Sequence, residues 1–241
     1  LGVNGPEDMW WMFTVSGIMM ALHGLYVTAE RAALPNIVSK EDLATANALD
    51  SATWSTALCL GAFSGGLVVS VFGENVAFII DSITFLFGTL MLLPLVIPQT
   101  FDKSSEGSLI KSSLKDIWLG QKRIKSEPRL LRIIFAKTSW NIAGGGLAGV
   151  FLVLAGNEIT FVGTALGFGI FFFARGIGTG IGPILARSVF KDSTKWPKMV
   201  GLLIIVSGFF YTLVGLSLGG PILLTLALVT LAHTASGGNW V

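Results

Sequence analysis

FFFARGIGTGIGPILARS, residues 171 to 188, sets Arg175 and four alternating glycines, Gly176, Gly178, Gly180 and Gly182, at the end of a long apolar run. Such spacing suits a phosphate cradle, a series of turns or a surface on which helices press together, and the chain around it decides. Of the 241 residues 52% are apolar and only 12% charged, with a mean hydropathy of +0.75. A soluble domain carries about a quarter of its residues as charges, so most of this chain has lipid as its solvent. A phosphate loop needs a strand before it and a soluble sheet around it, so the glycines are expected in a transmembrane helix. There Gly176 with Gly180, and Gly178 with Gly182, form two neighbouring small-residue stripes that let another helix come close. Pro183 loosens the same helix shortly before Arg187.

A bilayer crossing takes about 20 helical residues. Runs of that length are expected near 9–29, 51–72, 75–97, 131–155, 160–186, 199–217 and 221–241, numbered here as segments one to seven. A lipid-exposed backbone has to satisfy its own hydrogen bonds, and MLLPLVI (91–97) or LLIIVSGFF (202–210) lack the alternation of barrel strands. The fold class is therefore all-α, a polytopic transmembrane helical bundle. The basic residues set its polarity: Arg31 and Lys40 follow segment one, eight Lys and Arg from Lys103 to Arg132 follow segment three, and Arg187, Lys191, Lys195 and Lys198 follow segment five. The remaining connections carry Glu7, Asp8, Glu74 and Glu158 instead. By the positive-inside rule the three basic connections are cytosolic and residue 1 lies outside.

Residues 98–130 form one long polar connection. Within it Leu109, Ile110, Leu114, Ile117, Trp118 and Ile124 recur near helical spacing, opposite lysines. The spacing predicts an amphipathic helix, either along the inner membrane face or against the cytosolic ends of the bundle. A net charge of +2 argues against nucleic acid as a partner, and the single Cys59 excludes a disulfide framework and a cysteine metal site. No HExxH or GxSxG occurs, so neither an enzyme nor a cofactor nor a metal is expected. The chain opens without Met or a cleavable leader and closes at GGNWV, and is expected to be an internal piece of a longer protein. Seven spans alone would also fit a receptor or rhodopsin, but the long central connection and the lack of a lysine in segment seven speak against it.

The run RAALPNIVSKEDLATANALD (31–50), followed by a glycine-bearing span and FIIDSITFLFG (78–88), resembles the major facilitator superfamily, and within it the bacterial branch of the enterobactin exporter and macrolide efflux proteins. The resemblance rests on Leu34-Pro35-Asn36-Ile37-Val38, Ala46-Asn47 and Asp81-Ser82-Ile83-Thr84-Phe85. It implies helices four to ten of twelve: 1–97 as the last three spans of an N-terminal bundle, 98–130 as the loop between bundles, and 131–241 as the first four spans of a C-terminal bundle. It further implies a monomeric carrier in the bacterial inner membrane that exports a small amphipathic molecule (drug, macrolide or siderophore) by alternating access in exchange for protons. A lysophospholipid carrier of the same superfamily is the alternative. Departures are visible. Gly61, Gly65 and Gly66 match the glycines of the antiporter motif while Ala62 replaces its proline, Met20 stands where proton-coupled members place a basic residue, and GPILARSVFK keeps only Gly182, Arg187 and Lys191 of the loop echo.

A carrier needs polar groups near the bilayer midplane, facing each side in turn. Charges inside spans are therefore the first candidates: Arg175, about fifteen residues into segment five, and Asp81 as its protonatable partner. Lys137, close to the cytosolic end of segment four, is explained by snorkelling. His23 and His233 fall in corresponding helices of the two halves and are candidates to carry protons together. Trp54, Trp140 and Asn141, with Phe63 and Phe171 to Phe173, are expected to line a greasy cavity with few polar anchors. Gly61, Gly65, Gly66, Gly176, Gly178, Gly180 and Gly182 are expected to serve helix packing and gating. Asp50, at the start of segment two, is expected to cap that helix or gate it, and Glu30-Arg31, at the end of segment one, are candidates for a cytosolic gate pair, with a weak surface ion pair as the other reading.

Overall fold

The computed structural model describes residues 5–97, 109–142, 148–157, 159 and 162–240. Among them are nine α-helices: α1 (Met9–Ile37), α2 (Leu43–Phe72), α3 (Glu74–Leu92), α4 (Leu109–Ser126), α5 (Pro128–Trp140), α6 (Ala148–Asn157), α7 (Thr164–Val189), α8 (Trp196–Ser217) and α9 (Ile222–Gly237). Five are long and apolar enough to cross a membrane: Pro6–Ile37, Thr45–Phe72, Glu74–Leu92, Thr164–Val189 and Trp196–Ser217. The predicted amphipathic helix is α4, and residues 98–108 of the same connection lie outside the described residues.

Helix ends follow local chemistry. Gly73, at φ +81, makes the one-residue turn between α2 and α3, and Gly163, at φ +78, stands just before α7; both need the freedom a missing Cβ gives. Pro128 and Pro197 occupy first turns, where a missing N–H costs nothing. Arg123 joins Glu127 across the α4–α5 junction at 2.6 Å.

Several boundaries differ from expectation. α1 runs to Ile37, with Pro35 in its last turn, so Glu30 and Arg31 lie inside a helix rather than beyond its end. α2 starts at Leu43; Asp50 is thus two turns inside and cannot cap it. In both cases polar residues extend the helix beyond its apolar stretch. Segment four is described as two short helices, α5 and α6, with residues 143–147 outside the described residues. Segment seven is α9, only 16 residues long, continued by a 3-10 turn over Gly238–Trp240.

The chain forms two compact units, residues 1–49 with 78–102, and residues 50–77 with 103–241. In the first, α1 and α3 bury no residue. The second has a core of Leu152, Ala155, Ile159, Phe171, Ala174, Val214 and Val229. Its centre is α7, which explains why residues 50–72 of α2 group with it. On one side Ala165, Gly169, Phe173, Gly176 and Gly180 run antiparallel to Gly66, Ala62, Phe63, Cys59 and Ser55 of α2. A Cβ on Gly169 would lie 2.7 Å from Ala62 O, and one on Gly176 would lie 2.5 Å from Cys59 Cβ. On another side Gly178 and Gly182 run parallel to α9, with Thr230 O and Thr234 O directly against them. Gly237 returns the contact, 2.8 Å from Thr179 O in the same sense.

The two stripes of alternating glycines thus meet different helices. Residues 176 and 180 lie one turn apart, as do 178 and 182, and the two pairs point about 160° apart around the helix. Gly61 and Gly65, grouped with Gly66 in the sequence, are a correction as regards packing on α7: among the described residues a side chain on either would meet nothing within 4 Å. The face of α2 that touches α7 carries Ala62 and Gly66, and Gly61 and Gly65 are rotated off it by about 100°.

Candidate functional site

Arg175 is the twelfth of the 26 residues of α7, close to the middle of the helix. At 1.5 Å per residue it stands about 17 Å from one end and about 21 Å from the other. Its guanidinium carbon lies 5.0 Å from the centre of the Phe172 ring, one turn toward the N-terminal end. It therefore leans toward the Thr164 end of α7 and away from Arg187. Phe172 in turn stacks on Phe168 at 4.2 Å between ring centres. Phe168, Phe172 and Arg175 follow an i, i+4, i+7 pattern, so two aromatic rings and a cation share one face. A charge at the centre of a membrane span costs about 2.5–3.5 kcal/mol on insertion scales. Among the described residues no carboxylate forms an ion pair with Arg175, and its Nε is buried without a hydrogen-bond partner.

The groups that face it come from α8 and α9. Tyr211 and His233 are near enough to feel its charge. They meet edge to face at 5.4 Å between centroids, and the Tyr211 hydroxyl bonds His233 Nε2. His233 is 2% exposed. Its Nδ1 lies 3.3 Å from Ser236 Oγ, which also donates to the His233 carbonyl at 3.3 Å. One proton assignment satisfies every atom: Ser236 gives its proton to the carbonyl and accepts from Nδ1–H, leaving Nε2 to accept from Tyr211 O–H. Thr179 and Thr230 return their hydroxyls to helix carbonyls, Thr179 to Arg175 O at 2.9 Å and Thr230 to Leu226 O at 2.9 Å. The result is a neutral relay of Ser236, His233 and Tyr211 beside an unpaired cation.

A second polar spot lies between α5, α8 and the last 3-10 turn. Lys137, Trp140, Asn141, Val200, Ile204 and Asn239 surround a cavity of about 10 Å³, room for a single water. Asn239 is 6% exposed, and among the described residues neither polar atom of its amide has a hydrogen-bond partner.

The Major Facilitator Superfamily model matches residues 3–241. The chain belongs to the major facilitator superfamily. Neither curated proteins nor solved structures give a match to it. It is thus a multi-pass membrane transporter rather than an enzyme.

Within this facilitator chain the sequence candidates separate. Trp140 and Asn141 come together at the small cavity, and Arg175 and His233 come together across α7 and α9. Trp54 lies on α2, 52% exposed. Phe63 does meet Phe173, at 5.7 Å. His23 and Asp81 are exposed positions of α1 and α3 in the first unit, whereas His233 and Arg175 belong to the second. Glu30, Arg31 and Asp50 are helical positions, as described above. Tyr211, Ser236 and Asn239 were not singled out from the sequence. One signal was available: Tyr211 is one of two tyrosines in the chain and sits inside the apolar run LLIIVSGFFYTLVG, where a hydroxyl needs a partner.

Proposed function

We propose that this facilitator is a secondary active efflux carrier that exports a small amphipathic molecule of the drug, macrolide or siderophore kind by alternating access, in exchange for protons, across a bacterial inner membrane. The observation that carries the reading is the half-buried, unpaired Arg175 at the middle of α7, bordered by two stacked phenylalanines. A cation kept in a span at such a cost is a binding group more readily than a structural one, and the rings beside it suit an apolar body. Support for movement comes from the glycine faces of α7: backbone lies against backbone there, and few side chains interlock to resist sliding. Proton exchange is drawn from the family resemblance, with the Ser236, His233 and Tyr211 relay as the proton-bearing groups nearest Arg175 in the second unit.

The test uses the full-length protein in lipid vesicles under an imposed pH gradient, with siderophores, macrolides and lysolipids as candidate solutes. Uptake of at least one solute that collapses when the gradient is dissipated is the expected result. If none of them moves with the gradient, the exchanger reading fails; lysolipid movement alone would replace drug efflux by lipid transport.

A further inference from the structure

Arg175 carries a permanent positive charge, and the groups around it are committed elsewhere. Tyr211, His233 and Ser236 are engaged with one another, and a phenol, an imidazole and a hydroxyl supply no carboxylate-like charge to balance the guanidinium. Phe172 offers only the weak attraction of a ring face. Among the described residues Nε has no hydrogen-bond partner. The planar fork of a guanidinium is shaped to take two oxygens of one oxyanion. Along the same face Phe172 and Phe168 continue away from the charge, both half-buried and so still reachable. That order, cation then ring then ring, is the complement of an oxyanion head on an apolar body. A bilayer lipid cannot supply the head in place, because Arg175 is about 17 Å from the nearer end of its helix, well below the headgroup level.

We propose that Arg175 is the anion-recognising group of the transport site, and that the substrate class is an amphipathic organic anion with a carboxylate or comparable oxyanion head. The proposal rests on the carrier reading for its physiological meaning, while binding itself can be measured without transport.

The experiment measures binding of three probes of one carbon skeleton, 4-phenylbutyrate, 4-phenyl-1-butanol and 4-phenylbutylamine, to the full-length protein in phosphatidylcholine nanodiscs, read by tryptophan fluorescence. The carboxylate is expected to bind at least tenfold more tightly than the alcohol, with the amine weakest. Arg175→Gln removes that tenfold preference and leaves alcohol binding unchanged. Arg175→Lys, which keeps the charge and loses the fork, retains part of the preference, and Phe172→Leu weakens carboxylate and alcohol by the same factor. An unchanged far-UV circular dichroism spectrum establishes that the variants are folded; if Arg175→Gln does not fold, the lysine and leucine variants carry the test. Equal binding of carboxylate and alcohol by the wild type, an undiminished preference in Arg175→Gln, or the same fluorescence change from sodium chloride alone overturns the proposal. Anion-selective binding together with absent flux leaves it standing and removes only the carrier reading.

Discussion

Gly178 and Gly180 sit two residues apart in one motif, and the structure assigns them opposite responses to the same substitution. A methyl on Gly178 would press on Thr230 O and stand 2.9 Å from both His233 Cβ and Thr234 N. Ordinary contact begins near 3.4 Å, so α9 has to retreat by about one ångström to clear Thr230 O, the nearest of the three. Two of these neighbours are backbone atoms of a continuous helix, which touches α7 again at Gly182 one turn later, so no local rotamer change relieves the clash. Overpacking of this kind costs about 1–3 kcal/mol. On Gly180 the same methyl meets only Ser55 Cβ, at 3.5 Å. That is ordinary contact, and alanine is the better helix former by about 0.8–1 kcal/mol. Equilibrium unfolding of the full-length protein, followed by tryptophan fluorescence in mixed detergent, should therefore show Gly178→Ala less stable than wild type by about 1–3 kcal/mol, before any helix-propensity gain. Gly180→Ala should be equal to wild type or more stable by up to about 1 kcal/mol. Equal effects of the two, or a larger loss at Gly180, would refute the reading that each glycine stripe meets its own partner helix.

Tyr211→Phe keeps the ring and deletes the hydroxyl that His233 Nε2 accepts from, leaving a buried acceptor unsatisfied. The expected loss is about 1–3 kcal/mol in the same unfolding measurement, and a variant as stable as wild type would show that the bond contributes nothing. Before α8, Asp192 accepts from Thr194 Oγ1 at 2.7 Å and from Thr194 N at 3.0 Å. The Thr194 hydroxyl first and its N–H second hold the Asp192 carboxyl below its ordinary value, with Lys195 adding in the same direction. A carboxyl lowered by folding contributes stability above its unfolded value, near 3.9, and loses it as pH falls through the folded one. Asp192→Asn should therefore be slightly less stable than wild type at pH 7, with the difference fading below about pH 4; a difference that grows on acidification would reverse the assignment.

Much of the fold was legible in composition alone, because lipid allows few backbone solutions and a helix must announce itself by about 20 apolar residues. The lengths of α3, α7 and α8 follow that rule closely. α1 and α2 do not end where hydropathy falls: once a helix has left the apolar layer, polar residues such as Glu30, Arg31 and Asn47 can continue it, and Asn47 Nδ2 bonds Leu43 O at 2.9 Å. Asp50 was misplaced for that reason.

What the sequence by itself determined was the presence of two glycine stripes in a membrane helix, the isolation of Arg175 within an apolar run, and membership of a helical transporter family. Spacing along one helix settles these, since residues one turn apart share a face wherever the helix goes. Which helix covers which face was decided only by tertiary structure. α2 takes the face of Gly176 and Gly180, and α9 takes that of Gly178 and Gly182. Gly61 and Gly65 look the same in sequence, yet among the described residues a Cβ on either would meet nothing within 4 Å. The charge of Arg175 acts on His233, 58 residues further along the chain, and on Tyr211 of a third helix, and these two bond each other. No periodicity records such a meeting, because it depends on how three rods pack and not on the pattern of any one of them.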